Sequence, residues 1–383
     1  MPLGITFLLC SALPFSAQAL PQSPTRLGGA DRLELVHSFY GQMPVGVAVN
    51  SKGRVFVSFP RWEDKVPYSI AEIKGGKEIS YPNTVINSTP IPYDDSHFIG
   101  VQGLVMDGKD RLWVLDTGTF NLGPILSQNA PKLVGIDTAT NKVVKTIHFP
   151  ANVALKNTYL NDLRIDLRQR QDGVAYITDS GAKSGAGLIM VDLASGHSWR
   201  KLTGDASVLP EKGFVSFPDG KALLERPQGG PARTISFAVD SVAICPKGDY
   251  LYYAPVASRR LYAVPTAALR DETLSDANVR RQVIDLGEKG VSDGMAKDTA
   301  GRIYTTNHEL NAILRRLPNG DFETMVRDPR LIWPDTLAIQ GGYLYILVDQ
   351  LNRQVKYHYG RDERVKPYVL MRLKIDAKPV ILK

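Results

Sequence analysis

Through most of the chain, apolar side chains occupy alternate positions in short runs. Each run breaks at a polar or glycine-bearing turn, and a second alternating run follows. The unit recurs as PVGVAVNSKGRVFVSF from Pro44, VQGLVMDGKDRLWVLDTG from Val101 and LNDLRIDLRQRQDGVAYITDSG from Leu160. Three more copies are AVDSVAICPKGDYLYYAPV from Ala238, SDGMAKDTAGRIYTTN from Ser292 and PDTLAIQGGYLYILVDQ from Pro334. Alternation with period two marks a half-buried strand, and the tips SKG, GKD, PKGD, TAG and QGG suit hairpin turns. Further strand patterns follow several copies, as in KLVGIDTATNKVVKTIHF, GLIMVDLASGHSWRKL, RRLYAVPTAAL and AILRRLPNG. Two hairpins per copy predict a four-stranded sheet.

Six such sheets bury both faces only by packing on one another, and radial packing round an axis also leaves only short, protected edges. The fold class is therefore all-β, a six-bladed β-propeller. The opening strand RLELVHSF, Arg32 to Phe39, is expected to complete the last blade beside YVLMRLKI and so close the ring. The long inserts Pro60 to Gly100 and Leu202 to Ile235 become loops on one face. Trp113, Tyr252, Tyr304 and Tyr345, on second strands, are expected between blades.

Composition agrees with a large core: 43% of the 383 residues are hydrophobic and 22% charged. The net charge of +7 is scattered without a Lys/Arg block, which argues against a nucleic-acid partner. The first 20 residues, MPLGITFLLCSALPFSAQAL, carry no charge and end on Ala17-Gln18-Ala19, an A-x-A cleavage pattern. Residues 1–19 read as a secretory signal peptide, too short to span a bilayer, and residues 20–383 as one propeller domain. The expectation is a secreted monomer, extracellular or, in a bacterium, periplasmic, with no membrane partner. Cys10 falls in the signal, which leaves Cys245 alone, a buried thiol with no intramolecular disulfide. Asn87-Ser88-Thr89 is a glycan acceptor sequon, with Asn87 as the acceptor.

The first strand of each blade lines the central channel, and its head points at one mouth. The heads are Val45, Gln102, Asp162, Asp240, Asp293 and Asp335, with Asn161 beside Asp162. Carboxylates converging there repel one another and require a cation, a proton or a basic partner. No cofactor is certain. If a cation is bound, the oxygen ligands Asp293, Asp240 and Asp162 favour Ca²⁺, Mg²⁺ or Mn²⁺ over Zn²⁺. If none is, Asp293, Asp240 and Asp162 are acid–base candidates, and His308, in TTNHE, is the histidine best placed to join them. Asn161, Gln102, Asp335 and Trp333 are candidate contacts for a small-molecule ligand, and Trp62 is a further candidate wall. The alternative is structural: strand-head aspartates cap turn N–H groups. Asp116 in VLDTG and Asp179 in ITDSG are assigned such a turn role. There is no P-loop, GxGxxG, CxxC, HExxH or GxSxG motif.

VQGLVMDGKDRLWVLDTG, YLNDLRIDL with AYITDSG, LYYAPVASRRLYAV, SDGMAKDTAGRIY and WPDTLAIQGGYLYIL together resemble the major royal jelly protein and insect yellow protein family, over roughly Leu33 to Asp349. The chain lacks the cysteines of insect members. The resemblance implies a secreted six-bladed propeller. It also implies one of several activities: dopachrome-conversion-like isomerisation of a quinonoid ring, non-catalytic binding of biogenic amines or pigments, or storage. More distantly, Asn161-Asp162 and Asp293 are similar to strand heads of gluconolactonase and senescence-marker lactonases, which hold a divalent metal at this mouth. In that comparison Asp240 stands where those enzymes carry an asparagine ligand. Val45 stands where they carry a glutamate, so Asp335 or Gln102 would have to compensate. Three readings result: a secreted isomerase or tautomerase acting on a small oxidised aromatic or cyclic metabolite, a metal-dependent lactonase, and a non-catalytic binder of amines or aromatics.

Overall fold

The computed structural model describes residues 32–62, 64–88, 94–181 and 185–383. The proposed signal segment, Cys10 and Thr89 of the sequon lie outside them. Six four-stranded antiparallel sheets form the ring. Blade one consists of Gly46–Val49, Val55–Ser58, Ile70–Lys74 and Lys77–Ser80, and blade two of Val101–Met106, Arg111–Asp116, Lys132–Asp137 and Lys142–His148. Blade three is Leu160–Asp166, Val174–Asp179, Gly187–Asp192 and Ser198–Lys201, and blade four is Val239–Ile244, Tyr250–Pro255, Arg260–Pro265 and Ile284–Glu288. Blade five is Met295–Lys297, Ile303–Asn307, Ala312–Arg316 and Phe322–Arg327. Blade six takes Pro334–Gln340, Tyr343–Val348 and Tyr368–Lys374 from the end of the chain and Leu33–Phe39 from its start, paired antiparallel from Leu33↔Leu373 to Phe39↔Tyr368.

The core sits between the blades. Trp113, Leu115 and Leu133 of blade two meet Leu163, Ile177 and Ile189 of blade three, and equivalent buried clusters fill the other junctions. Trp113 and Tyr304 are fully buried there, Tyr345 lies between blades six and one, and the Tyr252 ring lies 4.1 Å from Lys297 Nζ of the next blade. Near the axis the inner strands come so close that backbone meets backbone. A Cβ on Gly103 would stand 2.2 Å from Asn161 O, and one on Gly294 would stand 2.0 Å from Asp335 O. Small hydroxyl residues bridge other junctions: Ser58 Oγ donates to Gln102 O, Thr178 Oγ1 to Asp240 O and Thr336 Oγ1 to Val45 O, each at 2.6 Å.

The long inserts gather over one end of the channel. Phe214, Leu223 and Ile235 pack with Val256, Trp333, Leu351 and Tyr357 into a separate apolar cluster that Trp62 and Phe237 join. Cys245 is a free, buried thiol. Among the described residues, no helix is long and apolar enough to cross a membrane.

Candidate functional site

The strand heads are irregular. In blades two, three, four and six the pairing of first with second strand shifts between Val101 and Leu104, Leu160 and Leu163, Val239 and Ser241, and Pro334 and Leu337. A bulge of this kind re-aims consecutive side chains instead of alternating them. Gln102, Asn161, Asp240, Asp293 and Asp335 then line one cavity of about 430 Å³ at the channel mouth. The next residue in each blade, Gly103, Asp162, Ser241, Gly294 or Thr336, turns elsewhere. Asp162 is therefore not a mouth residue. Its carboxylate pairs with Arg164 at 3.2 Å and lines a separate cavity of about 110 Å³ that includes hairpin-tip residues from the other end of the channel. Alternation alone aligned Asp162 with Asp240; the bulge puts Asn161 in that place.

The walls are aromatic: Trp62 from the first insert, and Tyr159 and Phe237 from the residues just ahead of the first strands of blades three and four, with Leu122 and Pro124 from a loop of blade two. Trp62 Nε1 donates to the Tyr159 hydroxyl at 2.8 Å, and that hydroxyl donates to Gln102 Oε1 at 3.0 Å. Asn161 Nδ2 donates to Ser180 Oγ at 2.9 Å and also to Asp240 Oδ2. Both amides on the floor are thus oriented before any ligand arrives. Tyr159 escaped the sequence reading although it immediately precedes the third blade's first strand. Phe237 escaped it because no pattern tells which residue ahead of a strand head folds over the mouth.

Among the described residues, Asp240, Asp293 and Asp335 form no ion pair with Lys or Arg, in contrast to Asp162. Burial, followed by mutual repulsion with Asp293 and Asp162, holds the Asp240 carboxyl well above the usual carboxylate range. Burial and the charges of Asp293 and Asp349 do the same to Asp335. Burial pushes Asp293 up to about 6, a rise limited by the Trp333 indole N–H, which donates to Oδ2 at 2.6 Å, and by the Lys289 charge. Lys289 is itself pushed down to about 7 by burial, with Nζ donating to Gly290 O at 3.0 Å.

Two expected contacts move out of the mouth. Trp333 does not line the cavity. It is buried below the floor, with φ of 54°, and acts on the site through Asp293. His308 is fully buried and stacks on Trp333, with ring centroids 3.9 Å apart. Neither ring nitrogen has a hydrogen-bond partner, and burial pushes its pKa down to about 3. It is a neutral packing residue instead of a rim acid or base. A loop position in the sequence does not reveal that the Trp333 ring closes over it.

The proposed cation set does not assemble. Among the described residues no group of three or more His, Cys, Asp or Glu side chains is arranged to hold a metal ion. Asp162 belongs to Arg164, Asp240 accepts from Asn161 and Asp293 accepts from Trp333. Asn87 also departs from expectation. It is 1% exposed, its Oδ1 accepts from Ser69 N at 2.9 Å and Ile70 N at 3.0 Å, and its Nδ2 donates to Tyr81 O and Asn83 O. A glycan on that nitrogen has no room and would replace one of the two donated hydrogens. Asp116 and Asp179 hold their turns, accepting from the Ile99, Gly100 and Gly118 N–H groups and from those of Tyr159 and Gly181.

The family profile described as major royal jelly protein matches residues 99–380. Protein yellow of Drosophila guanche is 30% identical over 268 residues, which make up 65% of this chain and 43% of that protein. Protein yellow of Drosophila melanogaster is 27% identical over 270 residues, 65% of this chain and 45% of that protein. The chain thus spans less than half the length of these relatives. Among solved structures, a luciferin-regenerating enzyme superposes with a TM-score of 0.53 at 13% identity, covering 92% of this chain and 99% of its own. At that identity the likeness is one of fold.

Proposed function

The chain belongs to the major royal jelly protein family, and from that premise we propose that it is a secreted protein whose mouth takes up a small oxidised aromatic or cyclic metabolite and interconverts its tautomers. One observation carries the reading: Asp293 and Asp240, neither paired with Lys or Arg, sit together on the floor of an aromatic-walled cavity, and both are held above the usual carboxylate range, Asp293 at about 6. Two neighbouring titratable groups driven to different pKa values divide into a base and an acid. Asp293, at about 6, is ionised near neutrality, and with Oδ2 held by Trp333 its Oδ1 is the oxygen left for a ligand. Asp240, held well above the usual carboxylate range, is the group assigned to carry the proton, and Asn161 orients it by donating to Oδ2.

The ring stacks among Trp62, Tyr159 and Phe237. Asp293 removes a proton from ring carbon, the electron pair shifts through the conjugated system, and Asp240 returns a proton at the far end. One proton leaves and one arrives, so the product is an isomer. Return of the proton from Asp293 to Asp240 through solvent resets the site.

The test is decay of the visible band of an aminochrome such as dopachrome. We expect Asp293→Asn to slow turnover by roughly 10²–10⁴-fold, the usual contribution of a positioned acid or base. Unchanged turnover in that variant, or none in the wild type, refutes the reaction. A second reading, binding of an organic amine, is supported by the carboxyl groups that have no Lys or Arg ion pair beneath aromatic walls. It predicts calorimetric affinity for phenylethylamines without turnover.

A further inference from the structure

The second long insert borders a cavity of about 470 Å³ that shares no lining residue with the mouth. Its short strand Leu224–Glu225 divides the two: Glu225 lines the mouth, whereas Leu223 and Arg226 line this second cavity. The facing wall, with Asn352, Arg353 and Arg361, comes from the segment between the second and third strands of blade six.

Positive charge is in excess here. Lys221, Arg226, Arg353 and Arg361 line the cavity with two carboxylates, Asp219 and Glu363. Both carboxylates are already engaged. Asp219 Oδ2 accepts from Arg353 Nε, Arg353 Nη2 and Asn352 Nδ2, each at 3.1 Å. Glu363 lies 3.1 Å from His358 Nδ1 and 3.7 Å from Arg361 Nη2. Arg226 has no carboxylate at all. Its Nη2 donates to Ala222 O at 3.0 Å, and its Nη1 donates to Leu224 O and Tyr357 O, each at 3.3 Å. The adjacent Glu225 is bound to Arg233 instead. Carbonyl oxygens orient a guanidinium without cancelling its charge. They also leave the Arg226 Nε–H and one Nη2–H without an acceptor, and Arg353 keeps both Nη1–H groups. Among the described residues the Lys221 ammonium makes no hydrogen bond or ion pair. Asn352 has the opposite need: it is 5% exposed, and its Oδ1 is buried without a donor.

We propose that this cavity binds a phosphate monoester of a small polyol, with the phosphate on Arg226, Arg353 and Lys221 and a neighbouring hydroxyl donating to Asn352 Oδ1. The open N–H groups come from separate stretches of chain. A tetrahedral phosphate offers three terminal oxygens and nearly two negative charges to donors so distributed, whereas a planar carboxylate offers two oxygens to one fork. The buried acceptor selects the rest of the ligand. It is costly until a donor reaches it, which a hydroxyl of the ester does and a bare anion does not. The assignment holds whatever reaction the mouth performs, because no residue of the mouth takes part.

Calorimetry on the full chain at neutral pH and low salt tests it with glycerol 3-phosphate, inorganic phosphate, malonate and glycerol. We expect stoichiometric binding of glycerol 3-phosphate, roughly 5–10-fold tighter than inorganic phosphate, and no binding of glycerol. Lys221 is exposed, so Lys221→Ala removes a charge without disturbing the fold. It should weaken glycerol 3-phosphate roughly 10-fold, and Arg226→Lys, which keeps the charge but loses the planar fork, roughly 10–100-fold. Asn352→Ala should erase the preference for glycerol 3-phosphate over inorganic phosphate. No binding of glycerol 3-phosphate, or unchanged affinity in either Lys221→Ala or Arg226→Lys, overturns the site. Malonate has the same charge without the tetrahedral group, and equal affinity for it would overturn the phosphate assignment. Inorganic phosphate bound as tightly as the ester would overturn the hydroxyl contact.

Discussion

Asp293 owes its behaviour to two neighbours that no motif connects to it. Trp333 holds one carboxylate oxygen through its indole N–H, and it does so from φ of 54°, a conformation unfavourable for a bulky residue. Because that donor favours the ionised form, Trp333→Phe should raise the Asp293 pKa above about 6 and move the acidic limb of the pH–rate profile upward. An unmoved limb would show that the indole does not tune the carboxylate. His308 carries an opposite pH dependence. Its folded pKa of about 3 lies below the ordinary 6.5, so the stability it contributes is present above pH 6.5 and is lost as pH falls toward 3. His308→Phe keeps the stack on Trp333 and removes that penalty. The variant should gain about 2 kcal/mol at pH 5 and nothing at pH 8, as read from urea unfolding. Equal gains at both pH values would mean that titration is not the cause. Neither residue's role was legible in the sequence, which placed both on loops near the rim, because burial under an insert is decided by residues distant in the chain.

At the scale of the element, the strand heads and the first insert matter most. The bulge that turns Asn161 inward and Asp162 away is invisible to a period-two reading, whereas the strands and their tips were readable because alternation and turn chemistry are local. In blades one, two and five the position after the head is a glycine confined by the neighbouring blade's backbone. Gly294→Ala would press a Cβ against Asp335 O at 2.0 Å. We expect a loss of at least about 1–3 kcal/mol, the usual cost of forcing atoms into a packed core, together with weakened ligand binding through displaced Asp335. A neutral Gly294→Ala in thermal unfolding would contradict the close approach. In the first insert, Asn87 ties the segment to Ser69, Ile70, Tyr81 and Asn83. Asn87→Ala leaves buried backbone groups without partners and should cost about 2–4 kcal/mol. Protein expressed in a eukaryotic secretory host should show no glycan mass at Asn87.

For the whole molecule, closure of the ring is the decisive contact. Leu33–Phe39 pairs with Tyr368–Lys374, joining the first described residues to the last blade. Deletion of residues 33–39 takes Phe39 out of its cluster and bares a strand edge together with Tyr368 and Leu370. Unfolding of the shortened chain should become broad and its midpoint fall; an unchanged sharp transition would mean that closure adds little. The repeat count, the blade architecture and the closing strand were determined by the sequence itself, because each copy's alternation is local and a sheet with two apolar faces has few ways to bury both. The membership of the mouth was decided only by the tertiary structure. Bulges choose between adjacent residues, and segments from distant parts of the chain supply Trp62, Leu122 and Phe237. Side-chain direction and charge compensation depend on which segments meet in space, and local pattern carries no record of that.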